Sequence, residues 1–224
     1  MHPNLRIDIC FMNSIERFAA LFDFDGVVMD TESQYSIFWH QIGVEYLHND
    51  NLETIIKGQT LTNIFKTYFS NIEHLQPEID RKLKHFEQHM QYVFIDGFIA
   101  FLDDLRKHDV KTAVVTSSDE GKMDAVYAAH PQLPEMFDRI LTAEMFTKSK
   151  PDPDCYLLGM KLFDTDPAHT FVFEDSFNGL KSGRASGAKV VGLATTNKAE
   201  DIAPLCDHIL VDYTNFSFDK MITL

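Results

Sequence analysis

The feature that most constrains this chain is an apolar run at residues 18–22 that leads straight into Asp23-Phe24-Asp25-Gly26-Val27. A short run of this kind suits a strand buried on both faces of a parallel sheet. Such a strand delivers Asp23 and Asp25 to its carboxyl end, the rim where open α/β sheets bind ligands. At a period of two, the carboxylates lie on one side of the extended chain. Gly26 then lets the backbone turn away sharply. Paired acids at that rim suit a hard divalent cation, and an aspartate there is also a candidate nucleophile.

The pattern recurs further along. Residues 110–115, 139–142, 170–173, 189–193 and 208–211 read as short apolar strands. The segments 98–105, 122–129, 154–163 and 179–188 between them read as helices. Strands alternating with helices indicate an α/β fold, a Rossmann-like parallel sheet covered on both faces. One region departs from this. Tyr35, Phe38, Trp39, Ile42 and Tyr46 recur at helical offsets. So do Leu61, Ile64, Phe65, Tyr68 and Phe69, and then Ile79, Leu83, Phe86 and Met90, with Pro77 near a helix start. No strand-like alternation interrupts them, so this region reads as a small helical insert.

At 224 residues the chain is long enough for a core domain with such an insert. Its net charge of −14 argues against a nucleic-acid-binding surface and against attraction to anionic membranes. A bound cation and a few basic groups would still admit an anionic substrate locally. No apolar stretch approaches the roughly 18 residues of a membrane span. The first dozen residues carry Arg6 and Asp8 without a sustained apolar segment, unlike a secretory signal. They have no clear pattern, and Met12 opens a natural lead-in to the first strand, so an over-long amino terminus is expected. Three separated cysteines, Cys10, Cys155 and Cys206, fit free thiols in a reducing cytosol, and a cytoplasmic location is expected.

Four strand ends offer polar groups to one rim: Asp23 and Asp25; Thr116 and Ser117; Lys150, in the loop beyond the short strand; Glu174 and Asp175. Carboxylates at 23, 25 and 175 suit Mg²⁺, which takes oxygen ligands. A hydroxyl, a lysine and backbone N–H groups suit the oxygens of a phosphoryl group. Phosphoryl transfer needs mainly positioning and neutralisation of charge, and this set supplies both.

At these residues the chain resembles the haloacid dehalogenase superfamily. The motifs are Asp23-Phe24-Asp25-Gly26-Val27, Val114-Val115-Thr116-Ser117, Lys150-Pro151 and Phe171-Val172-Phe173-Glu174-Asp175-Ser176, continuing Asn178-Gly179-Leu180. Any one is weak; all four in order are specific. The form of the fourth motif, with a helical insert after the first, is similar to the β-phosphoglucomutase-like branch. The resemblance implies a core domain of residues 12–33 and 94–224 and a helical cap of residues 34–93, hinged near Asp30-Thr31 and Ile95-Asp96-Gly97. It implies a phosphatase acting on a small phosphorylated metabolite such as a sugar phosphate, as a monomer or weak dimer. Asp23 would attack phosphorus and Asp25 would act as acid and base. Thr116, Ser117 and Lys150 would bind the phosphoryl group. Mg²⁺ would be held by Asp23, the Asp25 backbone carbonyl and Asp175, with Glu174 either close by or structural.

Plainer roles are set beside these. Ser118 and Asp119 are expected only to cap the next helix, and Lys148 to be a surface lysine. Asn178 and Gly179 either start a helix or touch a ligand. His85 and His89, at helical spacing, are expected on a solvated face rather than on a metal. Tyr35 packs the helix and is a candidate to face the cleft. The mutase of the branch has a histidine where this chain has Tyr35, and an arginine after its Lys-Gly pair. The run Lys57-Gly58-Gln59-Thr60-Leu61-Thr62 has none, and Arg81 is the only arginine of residues 34–93. Hydrolysis is therefore expected ahead of β-phosphoglucomutase activity. A non-catalytic small-molecule sensor is the alternative of another class.

Overall fold

A computed structural model describes residues 17–224. The strands are β1 (Ala19–Phe22), β2 (Lys111–Val115), β3 (Arg139–Leu141), β4 (Thr170–Glu174), β5 (Lys189–Leu193) and β6 (His208–Leu210). They form one parallel sheet in the order β3-β2-β1-β4-β5-β6. Four helices follow β1 directly: α1 (Glu32–Ile42), α2 (Leu52–Ile55), α3 (Leu61–Tyr68) and α4 (Gln76–Glu87). The others are α5 (Phe98–Lys107), α6 (Glu120–Ala129), α7 (Leu133–Met136), α8 (Asp154–Phe163), α9 (Phe177–Ser186), α10 (Ala199–Ile202) and α11 (Phe218–Met221).

All four residues of β1 are fully buried, which is why its sequence is apolar without alternation. Ala20 and Phe22 face a largely aromatic layer with Phe98, Phe101 and Phe173. Ala19 and Leu21 face the opposite layer with Val115, Tyr156, Met160 and Val172. From β1 the chain runs outward through β2 and β3, then returns to build β4, β5 and β6 on the other side. The switch point therefore lies between β1 and β4, and a crevice opens at their carboxyl ends.

The helical segment after β1 has its own core of Phe38, Trp39, Ile42, Ile64, Ile79 and Leu83. Tyr35 and Phe86 pack against this core and against the aromatic layer of the sheet. The chain enters and leaves the segment side by side. Met29 pairs antiparallel with Phe94, and the Asp30 N–H donates to the Val93 carbonyl at 2.8 Å. The Gln34 side-chain amide donates to the Gln91 carbonyl at 2.9 Å and accepts the Gln91 N–H at 3.0 Å.

The structure differs from the sequence reading in local detail. The first helix of the segment does not run unbroken to Tyr46. It ends at Ile42, widens into a π-helical turn over Gly43–Leu47, and closes on His48 with φ of 50°. The wider turn lets the Asn49 N–H reach the Gly43 carbonyl at 3.0 Å and sends the chain back toward α2. Helices α2, α7, α10 and α11 were not anticipated; each has four residues, too few to display a 3.6-residue period. Helix α9 starts at Phe177 rather than 179 because the Ser176 hydroxyl caps it, accepting from the Gly179 N–H at 3.0 Å. Cys155 and Cys206 are free thiols. Cys10 and the reading of the amino terminus lie outside the described residues. Among the described residues no helix is long and apolar enough to cross a membrane.

Candidate active site

The register of the sheet builds the site. Phe22 of β1 aligns with Val114 of β2 and Phe173 of β4, so Asp23 emerges beside the ends of both neighbours. Its N–H still donates to the Phe173 carbonyl at 3.0 Å. The chain then turns at Gly26, with φ of +73°. A Cβ there would collide with the Asp175 carboxylate and come within 2.9 Å of the Thr196 hydroxyl. Glycine is needed both for the turn and for the close approach to β4.

Lys150 is buried at the centre. Its ammonium donates to Asp23 Oδ1 at 3.0 Å, Glu174 Oε1 at 2.6 Å and the Val115 carbonyl at 3.2 Å, using all three protons. Burial works against its charge, but the Asp23 and Glu174 carboxylates hold the ammonium above its ordinary range. Glu174 is saturated by protein donors. Oε1 also accepts the Tyr156 hydroxyl at 2.6 Å, and Oε2 accepts the N–H groups of Asp175 and Ser176 at 3.1 and 3.3 Å. Asp175 receives the Thr196 hydroxyl on Oδ2 and the Asn197 amide on its backbone carbonyl.

Three buried carboxylates thus face one ammonium. Burial and the charge of Glu174 push Asp23 up to about 7, against the pull of Lys150. Burial, then Glu32, Glu174 and Asp23, drive Asp175 well above the usual carboxylate range. Carboxylate oxygens of Asp23, Glu174 and Asp175 lie within 4.8 Å of one another. An excess of buried negative charge on hard oxygen donors fits a divalent cation such as Mg²⁺. Among the described residues this trio is the group able to hold a metal; the His85 and His89 rings lie against each other, tilted by 48°, on an exposed face.

Asp25 stands apart from the trio. Oδ1 accepts the Thr31 hydroxyl at 2.5 Å; Oδ2 accepts the Ser118 hydroxyl at 3.2 Å and the Lys122 ammonium. Ser118, expected only to cap, instead gives its hydroxyl to Asp25, whereas Asp119 does cap α6, accepting from the Lys122 N–H at 2.9 Å. Lys122 was missed by the sequence reading, where it looks like an ordinary first-turn helix residue. No local signal marks it, since α1 must fold over it before its environment exists. Thr116 is buried at the end of β2, and its hydroxyl accepts the Ser118 N–H at 3.0 Å. Lys148, as expected, lies at the surface, paired with Asp152.

A cleft of about 780 Å³ separates this rim from the helical segment. Asp23, Asp25 and Thr116 line its floor, and Tyr35, Trp39, Glu53, Lys57 and Glu87 line its far wall. Residues 57–60 are tied across it. The Ser117 hydroxyl donates to the Gly58 carbonyl at 3.0 Å, and the Asn178 amide donates to the Lys57 carbonyl at 2.7 Å. The Thr60 N–H donates to the Ser149 hydroxyl at 3.0 Å. Ser117 and Asn178, both read as candidates for ligand contact, thus spend their side chains on the helical segment.

The chain is similar to a validoxylamine A 7′-phosphate phosphatase of Streptomyces hygroscopicus subsp. limoneus, 26% identical over 203 residues that cover 87% of this chain and 93% of that protein. It is 29% identical to hexitol phosphatase A of Escherichia coli over 191 residues, covering 77% of this chain and 81% of that one. The crystal structure of a HAD hydrolase, family IA, variant 3, from Entamoeba histolytica superposes with a TM-score of 0.77 at 21% identity, covering 92% of this chain and 98% of that one. Residues 20–193 match the family model for haloacid dehalogenase-like hydrolases, a span that holds all four strand-end motifs of the site, and the chain belongs to that family.

Proposed function

We propose that this protein is a Mg²⁺-dependent phosphatase that hydrolyses a small phosphorylated metabolite, a sugar or polyol phosphate, through an aspartyl phosphate on Asp23. The observation that carries this reading is the buried Asp23–Lys150–Glu174–Asp175 cluster facing the cleft, with Asp25 beside it. The named activities of the relatives, phosphatases of validoxylamine 7′-phosphate and of hexitols, point the same way.

Asp23 is the nucleophile, and Asp25 protonates the leaving oxygen and then takes a proton from water. Thr116 holds a phosphoryl oxygen, and Lys150 would exchange one of its three protein acceptors for another. Asp23, Asp175 and the Asp25 backbone carbonyl would hold the cation; Glu174, already saturated, orients Lys150 and the backbone of the β4 turn. When bound, a divalent cation neutralises charge that builds on the phosphoryl oxygens. Among the described residues, 17–33 and 94–224 act as the core and 34–93 as a cap that excludes water and selects the substrate.

The far wall of the cleft favours hydrolysis of a singly phosphorylated, otherwise neutral substrate over a mutase cycle. A mutase must hold the distal phosphate of a bisphosphate. Here Lys57 is paired with Glu32 at 3.3 Å and Lys122 with Asp25, and Glu53 and Glu87 set two more carboxyl groups on the far wall. Glu53 Oε2 is buried, with the His40 ring nitrogen 3.4 Å away.

The test is phosphate release from a panel of phosphorylated sugars and polyols and from an aryl phosphate, with Mg²⁺ and with a chelator. Mg²⁺-dependent release is expected, and Asp23→Asn is expected to lose about a thousandfold or more while unfolding normally. Retained activity in that variant removes Asp23 as nucleophile. No release from any ester favours a sensor, and isomerisation of β-glucose 1-phosphate without release favours a mutase.

A further inference from the structure

We propose that Lys122 is a positioning residue that acts through Asp25, holding the carboxylate left behind when Asp25 gives up its proton. The role rests on the phosphatase reading above and adds a residue outside the four strand-end motifs.

Lys122 sits in the first turn of α6 with its side chain only 4% exposed. A buried ammonium is costly without partners. Its hydrogen-bond partner is Asp25 Oδ2; the ring faces of Tyr35 and Phe24 lie at 4.5 and 5.4 Å, and Glu87 is near enough to feel its charge. Ser118 shares Oδ2, and Thr31 takes Oδ1. An ammonium is donor-only, and both hydroxyls point their protons at the carboxylate, so three donors fix where the Asp25 carboxylate lies.

That setting matters at one moment. As an Asp23 oxygen bonds to phosphorus, the bond from phosphorus to the substrate's alkoxy oxygen breaks and its electron pair goes to that oxygen. The Asp25 proton passes to the same oxygen, leaving an alcohol and an aspartate. Negative charge therefore develops on Asp25 in the transition state and is absent before it. A fixed ammonium against Oδ2 strengthens its attraction as that charge appears, which favours the transition state over the bound substrate. The position of Lys122 in turn depends on α1, because Tyr35 closes over it and hydrogen-bonds Glu87 at 2.8 Å. The ammonium thus links the placement of the helical segment to the acid that serves the leaving group.

The experiment compares two leaving groups in single turnover. Dinitrophenolate leaves without a proton; an alkoxide does not. Wild type and Lys122→Met are mixed in excess with 2,4-dinitrophenyl phosphate, and with the best alkyl phosphate from the panel. The variant is expected to form the enzyme-bound phosphate from the alkyl ester about 100-fold more slowly, the scale of general acid catalysis. Its dinitrophenolate burst is expected within about threefold of wild type, and KM for the alkyl ester likewise. Lys122→Arg, which keeps the charge, is expected to recover part of the alkyl rate. If Lys122→Met fails to unfold cooperatively, Lys122→Gln carries the same comparison. Equal losses on both esters would make Lys122 structural or phosphate-binding, and an unchanged alkyl rate would remove its role; either overturns the proposal. A wild type that turns over neither ester overturns the phosphatase reading instead.

Discussion

Glu87 enters the cleft from the end of α4 with its carboxylate buried and Oε1 taken by the Tyr35 hydroxyl at 2.8 Å. Burial pushes it up to about 7, helped by the charges of Asp119 and Asp25 and opposed by Lys122 and the Tyr35 hydrogen bond. The folded protein therefore binds this proton more tightly than the unfolded chain, whose glutamate titrates near its ordinary value. Between roughly pH 4.5 and pH 7 the folded state holds more protons, so this residue's contribution to stability falls as pH rises through that window. The gap is worth on the order of 3 kcal/mol. In Glu87→Gln, urea unfolding across pH 5–8 is expected to show a flatter decline and a gain over wild type at the alkaline end. Parallel profiles for the two proteins would take Glu87 out of this account. Asp23 was legible in the sequence because its motif follows a strand end directly, and Lys150 because its Lys-Pro pair stands in order between the second and fourth motifs. Glu87 was not: an acid one helical turn from Leu83 looks solvent-facing until α1 covers it.

The loop of residues 57–60 is the element that ties the helical segment across the cleft. Its carbonyls at Lys57 and Gly58 take side-chain hydrogen bonds from Asn178 and Ser117, and its Thr60 N–H is bonded to Ser149. Gly58 has φ of +74°, and a Cβ there would come within 2.5 Å of the Ser176 hydroxyl. The three partners come from three places on the sheet rim: Ser117 after β2, Ser149 in the loop beyond β3, and Asn178 in the first turn of α9. At about 1 kcal/mol per bond, losing one shifts closure severalfold. Ser117→Ala and Asn178→Ala are each expected to raise KM about fivefold, leaving the dinitrophenolate burst at saturation little changed. If Ser117 instead touches the phosphoryl group, only its variant will show an effect, and a drop in burst rate will accompany it. The sequence supplied these residues but not their direction. Ser117 reads as a phosphate ligand by position, and only the approach of a loop 59 residues away explains where its hydroxyl goes.

Across the whole molecule, Phe22 ties the catalytic rim to the core. It stacks on Phe173 at 4.6 Å and meets Phe98 and Phe101 edge-on, one residue before Asp23. Phe22→Ala is expected to cost about 3–5 kcal/mol in urea unfolding, a large part of the roughly 5–15 kcal/mol available to such a fold. A loss below about 1 kcal/mol would show that the aromatic layer repacks freely. The amino-acid sequence by itself determined the parallel α/β sheet, the helical insert and the order of the four motifs. Each of these rests on local periodicity, or on chemistry that follows a strand end directly. Tertiary structure alone decided which groups meet across the cleft. Lys122 and Asp25 are 97 residues apart, Asn178 and Lys57 are 121, and Tyr35 and Glu87 are 52. Such pairs depend on how helices pack over the rim, and side-chain direction at that distance is set by packing rather than by any pattern along the chain.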